Sequence, residues 1–79
     1  MKVEIITPKG IEFDQDASKL VVPTLTGEIT VLPKHVPLIS VLKAGTMKIA
    51  AGNGDVEKEI EGGILEVGRD KVVILLKKF

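Results

Sequence analysis

An all-β fold, a flattened antiparallel sandwich or barrel of short strands, is predicted by three observations. The 79 residues include ten valines, nine isoleucines and five threonines against four alanines. Branched β-carbons pack well on a pleated surface and lose rotamer freedom in a helix. Turn residues recur roughly every 8 to 12 positions between short apolar stretches, the spacing of a sandwich or barrel. Several of those stretches alternate apolar with polar residues, the period of a half-buried strand.

Val3–Thr7 is the first expected strand, ending at Pro8-Lys9-Gly10, where proline second and glycine fourth suit a type I turn. Ile11 and Phe13 then alternate with Glu12 and Asp14, so both are expected on one face of a second strand. Lys19–Thr24 follows, and Leu25-Thr26-Gly27 turns into Glu28–Leu32, which Pro33 closes. Pro37–Leu42 could open a short helix with proline in its first turn, but so few residues make no stable helix, and Met47 and Ile49 resume the alternation. A strand is preferred. Asn53-Gly54, both tolerant of positive φ, marks a hairpin between Thr46–Ala51 and Val56–Ile60. Gly62-Gly63 leads into Ile64–Val67, and Gly68-Arg69-Asp70 turns into Lys71–Leu76. Lys77-Lys78-Phe79 reads as a frayed, solvated tail.

Length allows one domain, residues 1–79, and excludes a cleft between two lobes. Eleven basic residues balance eleven acidic ones, which removes the broad attraction that holds a protein to nucleic acid or anionic lipid. Cysteine is absent, so disulfides, thiolate zinc sites and a cysteine nucleophile are excluded. The hydrophobic fraction of 44%, with eight glycines besides, is high for so small a body and implies apolar surface left over after the core is filled. The longest apolar run, Val72–Leu76, is far short of a membrane span, and the start has no apolar stretch of signal-peptide length, so a soluble, cytoplasmic protein is expected.

No motif carries chemistry. Asp14-Gln15-Asp16-Ala17-Ser18 opens like a calcium loop, but Lys19 stands where glycine makes the turn and Leu25 where a bidentate Glu is needed. Gly52-Asn53-Gly54 lacks the third glycine of a dinucleotide site, and there is no phosphate loop. Ser18 and Ser40 share one histidine and no nucleophile elbow. Glu57, Glu59 and Glu61 share a strand face, which could pair carboxylates but reads first as a wet sheet surface. His35, alone between Pro33 and Pro37, lacks the further groups a metal or catalytic site requires. No catalytic residue, metal or cofactor is expected. Local chemistry alone fits a small β-sandwich adaptor or ligand-binding module, or less well a minor enzyme using the Glu57–Glu61 face.

The segment Gly27-Glu28-Ile29-Thr30-Val31-Leu32-Pro33-Lys34-His35-Val36-Pro37-Leu38 resembles the signature of the F-type ATP synthase epsilon subunit, Gly-Glu-(Ile/Leu)-Gly-(Ile/Val)-(Leu/Tyr)-Pro-Gly-His-Ala-Pro-Leu. Val3–Pro8 and Val22-Pro23-Thr24 upstream, and Lys43-Ala44-Gly45, Gly62–Val67 and Val72–Leu75 downstream, extend the likeness over nearly the whole chain in the family's order. It implies a non-catalytic β-sandwich of the rotor, bound to the gamma subunit and seated on the ring of c subunits, coupling ion flow to ATP synthesis on other chains. Such a part sits on the cytoplasmic side of the plasma membrane, peripheral to it through the complex.

By position, the Thr26-Gly27-Glu28 turn would face the polar loops of the c ring, with Glu28 as the polar contact, while His35 and Ser40 would face gamma. The plainer alternatives are an exposed carboxylate at a strand start for Glu28 and a loop histidine bonded to nearby backbone for His35. Thr30 and Lys34 depart from the pattern, each replacing a glycine, so any positive φ at Lys34 would be strained. The family commonly continues into a two-helix regulatory segment; this chain stops at Phe79, so inhibition and ATP sensing by such helices are expected to be absent.

Overall fold

A computed structural model describes residues 1–79, in strands and turns without a helix. In chain order the strands are β1 (Lys2–Thr7), β2 (Gly10–Thr24), β3 (Gly27–Val31), β4 (Leu38–Ala51), β5 (Gly54–Val67) and β6 (Lys71–Leu75). The expected all-β sandwich forms, with fewer and longer strands. The breaks expected around Ala17-Ser18, Lys43–Gly45 and Glu61–Gly63 are bends inside β2, β4 and β5, which therefore serve both layers of the sandwich.

The bends have identifiable causes. Between β2 and β4 the register slips at Ala17/Lys19 and again at Val21/Thr24, and each slip turns the ribbon. Met1 satisfies the backbone at the first bend, since the Ala17 N–H donates to its carbonyl (2.8 Å) and its amino group donates to the Ala17 carbonyl (2.9 Å). At the β5 corner Gly62 and Gly63 have φ of +132° and +154°. A side chain at Gly63 would run into the Leu75 carbonyl and lie 2.8 Å from Leu76 Cδ2, so this corner requires glycine.

Hydrogen bonding runs β1-β6-β5-β4-β2 and returns to β1 through the β1–β2 pairing, closing a five-strand ring with β3 added on β2. One layer holds β1, β6, the second half of β5 and the first halves of β4 and β2; the other holds β3 and the remaining halves. The seam between β1 and β6 is parallel, with Val3 beside Val72 and Ile5 beside Ile74. The body measures 26 × 25 × 19 Å, flattened as two layers at a spacing of about 10 Å require.

Sixteen buried apolar side chains fill the interior, among them Val3, Ile5, Leu20, Met47, Ile49, Leu65 and Ile74. Thr24 is fully buried. Its hydroxyl donates to the Gly27 carbonyl (2.5 Å) and accepts from the Thr26 N–H (3.2 Å), so burial leaves nothing unpaired.

Three local expectations are corrected. Ile11 and Phe13 do not share a face: Ile5 pairs with Phe13 but Ile6 with Ile11, so an extra residue at Glu12 flips the alternation, leaving Phe13 8% and Ile11 60% exposed. The β4–β5 turn is Gly52-Asn53 rather than Asn53-Gly54; Gly54 opens β5 at φ +129°. The tail is not wholly solvated. Phe79 is partly buried against the core, its ring lying 6.4 Å from that of Phe13 with Lys58 Nζ 5.0 Å from its centre.

Candidate functional site

The spare apolar surface is gathered on one face. In β4 the inward residues Leu38, Ser40 and Leu42 alternate with Ile39, Val41 and Lys43, so Leu42 is 3% exposed while Ile39 is 72% exposed. Cross-strand register carries Val41 to Ile64 on β5, Ile64 to Leu75 on β6, Leu75 to Ile6 on β1 and Ile6 to Ile11 on β2. All five point outward, and only Ile6 is as much as half-buried. A second row, Ile39, Glu66, Val73 and Glu4, runs beside the first. Each large aliphatic side chain left in water forgoes about 1.5–3 kcal/mol of burial, and a contiguous set marks an interaction surface rather than scatter.

Charged pairs edge this belt. Lys71 Nζ lies 3.1 Å from Glu4 and Lys2 Nζ 2.8 Å from Asp14, the latter hydrogen bond and its opposite charge raising the Lys2 pKa above the usual lysine value. An apolar centre with a charged rim is the composition of a protein–protein interface.

The opposite outer face is polar. There the register sets Thr30, Val21, Lys48 and Glu57 in one row, with Lys19, Ala50 and Asp55 in the next. Lys48 approaches Glu57 (4.0 Å), Thr46 donates to Glu59, and Lys78 lies 3.3 Å from Glu61, so the acidic row is a solvated sheet face with local counter-charges. The slab is thus two-sided.

The residues singled out by position fall in separate places. Thr26 and Gly27 lie at the β2–β3 turn, held by the Thr24 hydroxyl, with Gly27 at φ +120°; Glu28 is exposed opposite Pro23 and enters no ion pair. The Leu25 N–H donates to the Val41 carbonyl (3.1 Å), fixing this turn at the end of the belt. His35 sits beyond the other end of β3, in the loop before β4. Its N–H donates to the Leu32 carbonyl (3.1 Å) and its Nδ1 donates to the Val36 carbonyl (2.6 Å), the local backbone bonding of the plainer reading. Lys34 does adopt positive φ, at +68°. Ser40 is on the inward side of β4, across from buried Leu65, and does not share a face with Ile39 and Val41. Of the calcium-like segment, Asp14 is occupied by Lys2 and Asp16 lies 3.8 Å from the terminal amine.

Sequence reasoning found the surplus of apolar residues but not the belt. The available signal was strand segments apolar on both faces: Leu38 to Leu42, Ile64-Leu65 and Ile74-Leu75. Placing them together needs the register of five strands.

Residues 1–79 match the sequence family described as ATP synthase, Delta/Epsilon chain, beta-sandwich domain. The ATP synthase epsilon chain of Alkalihalophilus pseudofirmus is 39% identical over 75 residues, covering 95% of this chain and 56% of that protein. The chain therefore spans a little over half the length of the curated relatives it matches. Two solved assemblies contain the same fold. A chain of the Euglena gracilis mitochondrial ATP synthase, OSCP/F1/c-ring, superposes with a TM-score of 0.87 at 20% identity, covering 96% of this chain and 49% of that one. A chain of the Tetrahymena thermophila mitochondrial ATP synthase central stalk and c-ring gives 0.82 at 23% identity, covering 96% and 62%.

Proposed function

From the premise that this chain belongs to the ATP synthase delta/epsilon-chain β-sandwich family, we propose that it is a non-catalytic rotor part of the central stalk of an F-type ATP synthase. In this reading it couples ion-driven rotation of the c ring to ATP synthesis, held against the gamma subunit and seated on the c ring. It resides with the complex at the cytoplasmic face of the plasma membrane. The observation that carries the reading is the two-sided slab: an apolar belt running across five strands on one face, and a charged, internally paired surface on the other.

The belt, from Val41 to Ile11, is the seat for gamma. The Thr26-Gly27-Glu28 turn, fixed to the belt's end through Leu25 and Val41, brings an unpaired carboxylate to the c-ring side. His35 and Ser40 border the gamma contact, His35 by stiffening the loop ahead of β4 and Ser40 from the inner side of the strand that presents Ile39 and Val41. A part that transmits torque has to be stiff, and a closed ring whose long strands cross both layers supplies stiffness without chemistry of its own.

Co-expression with the gamma subunit of the same organism tests the reading. A stable pair should survive purification; failure to co-purify would count decisively against it.

A further inference from the structure

Two loops distant in sequence meet at one end of the sandwich. Lys34, His35, Val36 and Pro37, between β3 and β4, and Arg69 and Asp70, between β5 and β6, line a recess of about 540 Å³. None of the chain's five ion pairs involves Lys34, Arg69 or Asp70, so these groups are not engaged in a contact elsewhere. Two permanent cations against one carboxylate leave a positive surplus. Besides His35, the two cations and Asp70 are the ionisable groups on the lining, so an anion is the ligand the recess could select by charge.

The recess is also held in shape. Lys34 is the only non-glycine residue at positive φ, +68°. A lysine in a conformation that glycine adopts freely is strain kept at a residue whose distinguishing property is its charge, and strain of that kind concentrates at binding sites. Pro33 and Pro37 restrict the backbone on either side, and the His35 Nδ1 bond to the Val36 carbonyl (2.6 Å) pins the loop between them. Across the recess the Gly68 N–H donates to the Lys71 carbonyl (2.8 Å), closing the loop that presents Arg69.

We propose that this recess binds a small phosphate-type oxyanion, free or as a monoester, with the Arg69 guanidinium as a two-pronged donor and the Lys34 ammonium as a point charge. His35 borders both this recess and the proposed gamma contact, but binding is measured on the chain without gamma, so the site stands or falls separately from the rotor reading.

Amide chemical shifts of the 79-residue chain, followed during titration with inorganic phosphate and with glycerol 3-phosphate at constant ionic strength, test the proposal. Saturating shifts confined to Lys34–Val36 and Gly68–Lys71, with a dissociation constant of about 1–10 mM, are expected. Arg69→Gln should weaken binding at least about tenfold, and Lys34→Gly should weaken it about threefold or more. Tighter binding of the monoester identifies a phosphorylated small molecule as the ligand, and tighter binding of the free ion identifies inorganic phosphate; either supports the site. Absence of saturation by about 50 mM, shifts spread equally over Lys43, Lys48 and Lys58, or unchanged binding in Arg69→Gln would each overturn it.

Discussion

Single residues decide how this small body tolerates polar and strained positions. Lys34 at φ +68° stands where the left-handed conformation costs a non-glycine residue about 1–2 kcal/mol, partly offset in glycine by its freer unfolded chain. Lys34→Gly should therefore stabilise the fold by about 0.5–1 kcal/mol, read as a thermal midpoint several degrees higher. Thr24 gives the opposite case. Replacing it with isosteric valine leaves the buried turn without its hydroxyl partner, so Thr24→Val should lower stability by about 1–3 kcal/mol in urea titration. At Lys2 the pairing with Asp14 raises the folded-state pKa, so its contribution is fully present below the unfolded value near 10.5 and fades as pH climbs through the folded one. Lys2→Met should shrink the difference between urea midpoints measured at neutral pH and above that value. The strain at Lys34 was legible in advance, since a side chain stands where the family pattern has glycine. The faces of Ile11 and Phe13 were not, because one extra residue at Glu12 reverses the alternation, and a bulge is set by the partner strand.

Among the elements, three of the four hairpins follow one rule, the β5–β6 turn being the exception. Pro8-Lys9, Leu25-Thr26 and Gly52-Asn53 each turn the chain in two residues, and each is followed by a glycine at φ between +120° and +129°: Gly10, Gly27 and Gly54. Turn chemistry is local, so the hairpins could be read from sequence, to within one residue at Gly52-Asn53. The bends within β2, β4 and β5 could not. Lys43-Ala44-Gly45 and Gly62-Gly63 have the composition of loops, yet pairing continues on both sides of them because the neighbouring strand bends in step. The corner at Gly63 gives this a test. Gly63→Ala drives a methyl into the Leu75 carbonyl and should cost about 2–3 kcal/mol, whereas Gly52→Ala enters open space and should fall within about 0.5 kcal/mol of wild type. Equal midpoints for the two variants would show that the corner has no special demand for glycine.

For the whole molecule, closure is the non-local event on which the rest depends. The parallel β1–β6 seam joins the first strand to the last, and no local pattern predicts it; once made, it aligns Ile6 with Leu75 and so completes the belt. Sequence alone gave the class, the turns, the apolar surplus and the family resemblance, while the location of the surplus waited on the ring. The belt and the acidic row of β5 are built by the same alternation on opposite sides of one slab, which makes them a matched pair for experiment. Apart from half-buried Ile6, the side chains of the belt and the acidic row are exposed, so substitutions at those exposed positions should leave the core intact, as circular dichroism can verify.

The decisive measurement is calorimetric titration of the purified gamma subunit with three forms of this chain: wild type, a Val41→Lys/Ile64→Lys variant of the apolar face, and a Lys48→Ser/Glu57→Ser variant of the polar face. Loss of at least about tenfold in affinity for the first variant, with the second within about twofold of wild type, is the predicted result. Undiminished binding by the apolar-face variant, or a larger loss from the polar face, would contradict it.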